Sequence, residues 1–448
     1  MTLTTFFKAP AILASLGAVL LAGTAHAAIP IIHWTQASGA QVFLVESPAI
    51  PMVDVQIDFD AGGRRDPAAK PGLANLTASG TAYGVRAHGA EPALDENDLS
   101  DAWADLGASF GGSAGSDRMG FGLRSLTYPD LLEKAVSLAA RQLGEPSFPD
   151  GPWLRDRPKM VASLKEADTR PSTLAARAFR RAVYGTHPYG YELTEESLGR
   201  ISAADMRALH AQTLKACNAK VSIVGALNRS QADMLVQRLL AFLPASGCDI
   251  LPAVPEVQAL AAAHEEHIAF ASAQAHVLTG QPGVKRNTPD FFALTVGNHI
   301  LGGGGFASRL TEEVREKRGL TYSVGSSFAP GLHAGAFTIG LQTRPDQAEQ
   351  ALALVREVLA RFVADGPSEQ ELQAAKDNLV GGFALRLDSN RKLLDNVANI
   401  AWNDLPLDYL ETWTEQVNKL TARDIQAAFA RAVQPGKMVT VVLGADAP

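Results

Sequence analysis

The sequence predicts an α+β protein that contains two tandem homologous domains, and two observations support this prediction. First, a pattern at Pro129-Asp130 returns at Pro345-Asp346, and a second pattern at Asp205 returns at Asp424, nearly the same number of residues apart. Second, each half combines apolar residues at helical spacing with apolar residues that alternate as in a half-buried strand. A chain of 448 residues is also too long for one hydrophobic core, so duplication is the simplest explanation.

The first 27 residues have the features of a secretory signal peptide. Lys8 precedes an apolar stretch, Ala11–Ala22, and the small residues Ala25 and Ala27 suit cleavage after Ala27. The stretch is shorter than the roughly 20 residues that a spanning helix needs. Because the residue directly after the cut is not cysteine, we expect a soluble periplasmic protein that begins near Ala28, without a lipid anchor or membrane insertion.

The remaining chain divides into a first domain at residues 28–250, a linker at 251–265 and a second domain at 266–448. The linker is rich in proline and alanine and lacks glycine up to Ala263. Val53–Phe59 alternates as a half-buried strand does. Two helices each show one buried face, formed by Val136, Ala139, Ala140 and Leu143 in the first domain and by Val355, Val358, Leu359 and Phe362 in the second.

Composition narrows the range of partners. The chain has 46% hydrophobic and 19% charged residues, as an ordinary globular protein does, and its formal net charge is −7. A mildly acidic protein is a poor binder of nucleic acid or of anionic membranes. We therefore expect neither as a partner.

Cys217 and Cys248 are the only cysteines, and they flank a segment that is typical of a strand, a helix and a return loop. In an oxidising compartment they can form a disulfide, which would stabilise the fold by about 3 to 4 kcal/mol in the chain-entropy model. The alternative is two separate buried thiols.

Three stretches together resemble the M16 (insulinase/pitrilysin-type, inverzincin) peptidase family over nearly all of the mature chain. They are AGGRRDP at Ala61–Pro67, PGLA at Pro71–Ala74 and LGGGGFASRLTEEVREKRGLTYSV at Leu301–Val324. The resemblance implies two LuxS- and MPP-like domains, each a mainly antiparallel sheet packed with helices, which form half of a clam-like chamber.

The zinc motif of the family is absent between these stretches. Active members carry His-x-x-Glu-His, in which two imidazoles hold zinc and the carboxylate is the general base. Here Asn75, Ala78 and Ser79 occupy the three positions. The third ligand of the family would fall near Ser163, with Glu166 close by, and one carboxylate alone cannot hold the metal. We therefore expect no metal and no cofactor in this chain, and no peptidase activity from it alone.

The second half keeps what looks like the Arg/Tyr pair of the family, Arg315 and Tyr322. In active members this pair binds the scissile carbonyl and the developing oxyanion, and a guanidinium and a phenol suit that task. The two side chains can converge beyond the end of the helix that Gly319 stops. Alternatively, Arg315 pairs with Glu312 on a solvated helix face, and Tyr322 is a half-buried strand residue.

The glycine run at Gly302, Gly303, Gly304 and Gly305 has two interpretations. The resemblance implies a flexible substrate-binding loop at the chamber, and the alternative is a simple loop before the helix. A phosphate-binding loop is disfavoured because no Gly-Lys-Ser/Thr follows.

Two histidine-containing segments are not expected to bind metal. His264-Glu-Glu-His267 has neither zincin spacing, and it precedes an apparent strand at Ile268–Ala271, so a solvated charged turn is predicted. His187 lies in a turn that resembles one in the family and is expected to be structural.

These features predict a heterodimer in which an M16 homologue with an intact motif supplies zinc and the general base. This chain would supply Arg315, Tyr322 and half of the chamber for the hydrolysis of peptides. The alternative is a non-enzymatic scaffold or peptide-binding protein of the same fold, because a fold does not guarantee a function.

Overall fold

The computed structural model describes residues 29–248 and 251–444, so the predicted signal peptide and the predicted start at Ala28 lie outside the described residues. Within these ranges a six-stranded sheet and a five-stranded sheet are packed with helices, a third sheet has only two short strands, and the predicted α+β class is confirmed. In this part of the chain, no helix is both long and apolar enough to cross a bilayer.

The first half contains eight strands and eight α-helices in the described residues. The strands are β1 Ile32–Thr35, β2 Gln41–Glu46, β3 Met52–Phe59, β4 Gly84–Val85, β5 Leu94–Asp95, β6 Ser109–Ala114, β7 Met119–Leu126 and β8 Lys220–Gly225. The helices are α1 Leu73–Gly80, α2 Glu96–Leu106, α3 Pro129–Gly144, α4 Asp150–Ala167, α5 Pro171–Tyr184, α6 Glu195–Arg200, α7 Ala203–Thr213 and α8 Arg229–Leu239.

The second half repeats this plan in fewer elements. Its strands are β9 His264–Ile268, β10 Ala275–Pro282, β11 Ser323–Phe328, β12 Ala336–Thr343 and β13 Val439–Leu443. Its α-helices are α9 Phe291–Asn298, α10 Ala348–Asp365, α11 Glu369–Gly381, α12 Asn390–Trp402, α13 Tyr409–Lys419 and α14 Ala422–Ala432. Two π-helical segments, His299–Gly303 and Thr311–Glu316, lie between α9 and β11.

The order of strands in the two sheets shows the duplication. The first sheet runs β1-β2-β8-β3-β7-β6 and the second runs β9-β13-β10-β12-β11 when it is followed from its β9 edge. Strand β2 pairs in parallel with β8, as β9 does with β13, and the other pairs are antiparallel. The first sheet therefore has the order of the second plus one extra edge strand.

The sequence repeat at Asp205 and Asp424 has a local structural cause. Ser202 caps α7 by accepting the backbone N–H of Asp205, whose carboxylate accepts the backbone N–H of Ser202 in return. Thr421 and Asp424 form the same capping box at the start of α14. Such reciprocal bonds satisfy donors that the first helical turn leaves free, so both repeats keep these residue types.

The two halves exchange one helix each. Helix α5 of the first half lies on the second sheet, where Ala175, Ala178 and Phe179 pack with Val441 and Leu443. Helix α12 of the second half lies on the first sheet, where Val397 and Ile400 are among the residues that pack with Phe43 and Val224. Each sheet therefore buries one face against a helix from the other half.

The segment His264–His267 corrects the prediction of a charged turn. Its residues form strand β9, which extends into the predicted linker because its backbone pairs with β13, and the strand ends at Ile268 rather than beginning there. The prediction of a turn was based on the polar side chains. It was wrong because an edge strand is partly exposed and tolerates charged side chains. The predicted domain boundaries stay a prediction.

Candidate functional site

Helix α1 carries the three positions of the degenerate zinc motif, and a buried carboxylate holds its first turn. Asp66 accepts the backbone N–H groups of Gly72 and Ala74 at 2.7 and 2.8 Å. Burial raises the pKa of Asp66 to about 6, although the bonds from the backbone act to lower it. This carboxylate therefore anchors the first turn of the helix.

The side chains at the motif positions do not fit a zinc ion. Asn75 Oδ1 accepts the backbone N–H of Ala114 at 3.0 Å, and Ser79 Oγ donates to the carbonyl oxygen of Asn75 at 3.0 Å. Ala78 is fully buried and offers no donor atom. Zinc sites are formed by imidazole, thiolate and carboxylate groups, and none stands at these positions.

The region where the third zinc ligand of the family would fall does not make up for the missing histidines. Ser163 and Glu166 both lie on α4 and are exposed. The carboxylate of Glu166 forms an i,i+4 ion pair with Arg170 at 3.4 Å. A single exposed carboxylate that already pairs with a guanidinium is a weak basis for a metal site.

A cavity of about 650 Å³ opens beside Asn75, between residues of the two halves. Its walls combine charged, amide and aromatic side chains with prolines and glycines, and among the described residues they include neither Arg315 nor Tyr322. The first half contributes Asp66, Arg180, Tyr189 and Tyr191, and the second half contributes Asn399 and Trp402. Charged, amide, phenol and indole groups in a concave site are suited to fix the orientation of a ligand.

A hydrogen-bonded junction joins the halves at the edge of this cavity. Tyr189 donates its hydroxyl to Asp117 at 2.5 Å and accepts the backbone N–H of His333 at 3.1 Å. Asp117 also accepts the backbone N–H of Leu332 at 2.9 Å. Burial and the bond to Asp117 raise the pKa of Tyr189, so the phenol stays protonated. The sequence offered no signal for Asp117, because its partner is distant in the chain.

His187 and Glu256 extend this junction to the linker segment. The His187 ring accepts the N–H of Tyr189 at 3.1 Å and donates from Nε2 to the carbonyl oxygen of Pro255 at 2.9 Å. Burial and the nearby His333 lower the pKa of His187. Burial acts to raise the pKa of Glu256, but bonds from Lys285 and the backbone outweigh it and hold the pKa at about 2.

Arg315 and Tyr322 converge, as the helix-end geometry predicted. The guanidinium carbon of Arg315 lies 5.0 Å from the ring centroid of Tyr322 and 4.8 Å from that of Phe306. Tyr322 is 79% exposed and Phe306 is 74% exposed. Two exposed aromatic rings around one guanidinium form a surface, hereafter the Arg/Tyr surface, that suits a partner or substrate. The sequence interpretation missed Phe306, although it directly follows the glycine run.

Among the described residues, Arg315 and Tyr322 do not make the contacts that the alternative interpretation predicted. Glu312 pairs with Lys317 at 2.8 Å, whereas the nearest carboxylate to Arg315 is Glu316 at 3.3 Å. Strand β11 begins at Ser323, so Tyr322 precedes the strand and is not half-buried. The functional role of the pair stays a prediction.

The glycine run lies at the end of a π-helical turn rather than in an open loop. Helix α9 continues into the π-helix His299–Gly303, and a side chain on Gly302 would come 2.6 Å from the backbone nitrogen of Ser326. Gly305 has a φ of 61° and open space around it. Close packing and turn geometry therefore account for these two glycines, and a substrate-binding role for the run stays a prediction. Such π-helical turns are rare and frequent at functional sites.

Strand β9 contributes to a cluster of potential metal ligands with Glu349 of α10. The ligand atoms of Glu265, His267 and Glu349 lie within 4.8 Å of one another. Glu265 already accepts hydrogen bonds from Arg356 at 2.6 Å and pairs with His267 at 2.9 Å. The guanidinium next to this cluster opposes the binding of a cation.

The two cysteines are adjacent in space. The Cα atoms of Cys217 and Cys248 are 6.2 Å apart, within the range of disulfides, and their sulfur atoms are in contact. The disulfide stays a prediction.

The family model and the named relatives that match this chain all carry descriptions that refer to peptidases. Residues 200–379 match a family described as "Peptidase M16 inactive domain". The "Non-peptidase homolog YmxG" of Helicobacter pylori is 27% identical over 299 residues, which cover 65% of this chain and 68% of the relative. The "Uncharacterized zinc protease YmxG" of Bacillus subtilis is 23% identical over 408 residues, which cover 88% of this chain and 93% of the relative.

Solved structures agree with these relatives. A structure described as a peptidase M16 inactive domain from Pseudomonas fluorescens has a TM-score of 0.87 and 35% identity, covering 93% of this chain and 98% of that chain. The periplasmic protease PqqL from Escherichia coli has a TM-score of 0.78 and 20% identity, and this chain covers 46% of it. At that identity the similarity to PqqL concerns the fold alone.

Proposed function

The chain belongs to the M16 peptidase family as a member without the zinc motif, and from this premise we propose that it is the non-zinc-binding subunit of a heterodimeric M16 metallopeptidase that hydrolyses peptides. The resemblance predicted from the sequence is confirmed. In this proposal a sister subunit with an intact His-x-x-Glu-His motif supplies zinc and the general base. This chain supplies the Arg/Tyr surface and half of a clam-like chamber.

The observation that carries the proposal is that half-buried Arg315 and exposed Tyr322 lie outside the walls of the chain's own cavity. Preorganised donors stabilise an oxyanion only when they reach the reacting carbonyl. Because the positions Asn75, Ala78 and Ser79 hold no metal ligand, the substrate of this pair would lie in another subunit. A complete site would then require both chains.

The edge of the first sheet supports the binding of an extended peptide. In the described residues, β6 pairs with β7 on one side, and β6 ends at Ala114, next to Asn75. A peptide that adds to such an edge gains backbone hydrogen bonds without strong sequence demands. The glycine run Gly302–Gly305 would give the other wall of the chamber little steric bulk.

A periplasmic location is part of the proposal. The predicted signal peptide supports it. An oxidising compartment also suits the adjacent cysteines.

Reconstitution tests the proposal. The purified mature chain is expected to hold no stoichiometric zinc and to cleave no peptide, whereas mixing it with the sister subunit restores cleavage. Arg315→Ala and Tyr322→Phe weaken the activity of the mixture, and Arg344→Ala, at an exposed arginine paired with Asp346, is the matched control. Full activity of both variants in the complex, or zinc-dependent cleavage by this chain alone, would refute the assignment.

A scaffold or peptide-binding protein without enzymatic function is the second candidate. The cavity beside Asn75 favours it, because charged, amide and aromatic groups from both halves line one concave site. The name of the Helicobacter pylori relative, a non-peptidase homolog, points in the same direction. An adjacent gene for a secreted homologue with an intact zinc motif would favour the heterodimer, and peptide binding by this chain without any cleavage by the mixture would favour the scaffold.

A further inference from the structure

A second cavity, of about 560 Å³, lies between the start of α9 and the start of α13. None of its wall residues belongs to the Arg/Tyr surface or to the degenerate zinc motif. Its walls include Arg286, Phe291, Phe292, Asn403, Tyr409 and Gln416. The volume is typical of sites for small ligands.

Arg286 is the unusual member of this wall, because its charge is buried. The residue is 7% exposed, and its guanidinium carbon lies 3.6 Å from the ring centroid of Phe291. Its Nη2 donates to the hydroxyl of Tyr409 at 2.8 Å, which is the one hydrogen bond of this guanidinium among the described residues. A guanidinium has five N–H donors, so most of them remain for another acceptor.

Arg286 lines the cavity, and its remaining donors keep access to solvent. In the described part of the chain, every side-chain nitrogen of Arg286 either reaches solvent or has a hydrogen-bond partner. Contacts with aromatic rings offset part of the cost of burying a cation, but a buried charge is normally paired. The protein therefore presents a cation that lacks its anion.

The carboxylates near the cavity are already paired with other cations. Asp404 lines the cavity, but it pairs with Lys220 of the first half at 2.5 Å. Asp290, which precedes α9, pairs with Arg431 at 2.6 Å. Among the described residues, neither these nor other acidic groups pair with Arg286.

We propose that this cavity binds a carboxylate that is attached to an apolar or aromatic group. Guanidinium and carboxylate form paired, charge-assisted hydrogen bonds of fixed geometry. Phe291, Phe292 and Tyr409 would bury the apolar part beside the charge. The ligand is either a small organic acid or the C-terminal end of a peptide, because both present the same chemistry.

Calorimetric titration of the purified mature chain tests this assignment. The probes are 3-phenylpropionate and its primary amide, which have the same shape and differ in charge. Saturable binding of the acid is expected, with an affinity at least about tenfold higher than that of the amide. Equal affinities, or no binding of the acid, would overturn the proposal.

Variants and a peptide pair complete the experiment. Arg286→Gln is expected to lower the affinity for the acid at least about tenfold, and Arg361→Gln, at an exposed helical arginine, leaves it unchanged. Unchanged binding by a folded Arg286→Gln chain would contradict the proposal, and if that variant does not fold, the acid and amide comparison decides. Tighter binding of N-acetyl-Ala-Phe than of 3-phenylpropionate identifies peptide ends as the ligand, and the reverse order identifies small acids.

Discussion

The guanidinium of Arg315 lies 5.0 Å from the ring centroid of Tyr322, and the Phe306 ring flanks it at 4.8 Å. The two rings orient the guanidinium while the surface around it stays open, since both aromatic residues are mostly exposed. A preorganised cation at an open surface is suited to a group that another molecule brings.

Arg315→Lys and Arg315→Ala separate charge from geometry in the reconstituted heterodimer. Lysine keeps the charge but loses the planar fork, so we expect kcat to fall by about tenfold, whereas alanine lowers it by about 10²-fold to 10³-fold. Steady-state kinetics with the sister subunit measure both values. Equal rates for the two variants and the unaltered chain would remove Arg315 from the reaction.

Phe306→Ala removes one of the two rings that contact Arg315. A cation–π contact at an exposed site is worth about 0.5 to 1 kcal/mol, so we expect a loss of about twofold to fivefold in kcat/KM, well below that of Arg315→Ala. Phe306→Tyr keeps the ring and should restore most of the rate. A loss that Phe306→Tyr does not restore would point to a steric role instead.

Phe179→Ala tests the exchange of helices between the halves. Phe179 is 6% exposed and packs on the second sheet, so its truncation should lower the free energy of unfolding by about 3 to 5 kcal/mol. Leu154→Ala on α4, at a residue that is 55% exposed, should cost much less. Denaturant unfolding measures both, and a cost below about 1 kcal/mol at Phe179 would show that α5 is not held there in solution.

His187 makes the junction between the halves sensitive to acid. Because burial and His333 lower its pKa below the ordinary 6.5, the folded state favours the neutral ring. Its contribution is complete above pH 6.5 and is lost as the pH falls below that value. We expect His187→Gln to be less stable at pH 7.5 and to lose less stability between pH 7 and 5. Parallel unfolding curves of the two proteins across this range would contradict the expectation.

Reduction of the pair Cys217 and Cys248 should destabilise the fold. The sequence separation is 31 residues, for which the chain-entropy model gives about 3 to 4 kcal/mol. Thermal unfolding with and without reductant measures the loss, and the double variant Cys217→Ser with Cys248→Ser should not respond to reductant. Free thiols in protein isolated under oxidising conditions would disprove the pairing.

Local features of the structure were predictable from the sequence. The capping boxes at Ser202 and Thr421 appear as residue types at fixed spacing, and the convergence of Arg315 with Tyr322 follows from the end of one helical segment. The strand β9 was not predictable in this way. Its side chains are polar, and its conformation comes from backbone pairing with β13, which residue periodicity does not record.

The amino-acid sequence by itself determined the duplication, the family and the loss of the zinc ligands at Asn75, Ala78 and Ser79, because each depends on residue identity and not on packing. Only the tertiary structure decided that α5 and α12 cross to the opposite sheets and that Arg286 is buried against Phe291. These relationships join residues that are distant in the chain or depend on burial. Burial and charge pairing arise from packing of the whole fold, and local spacing carries no record of them.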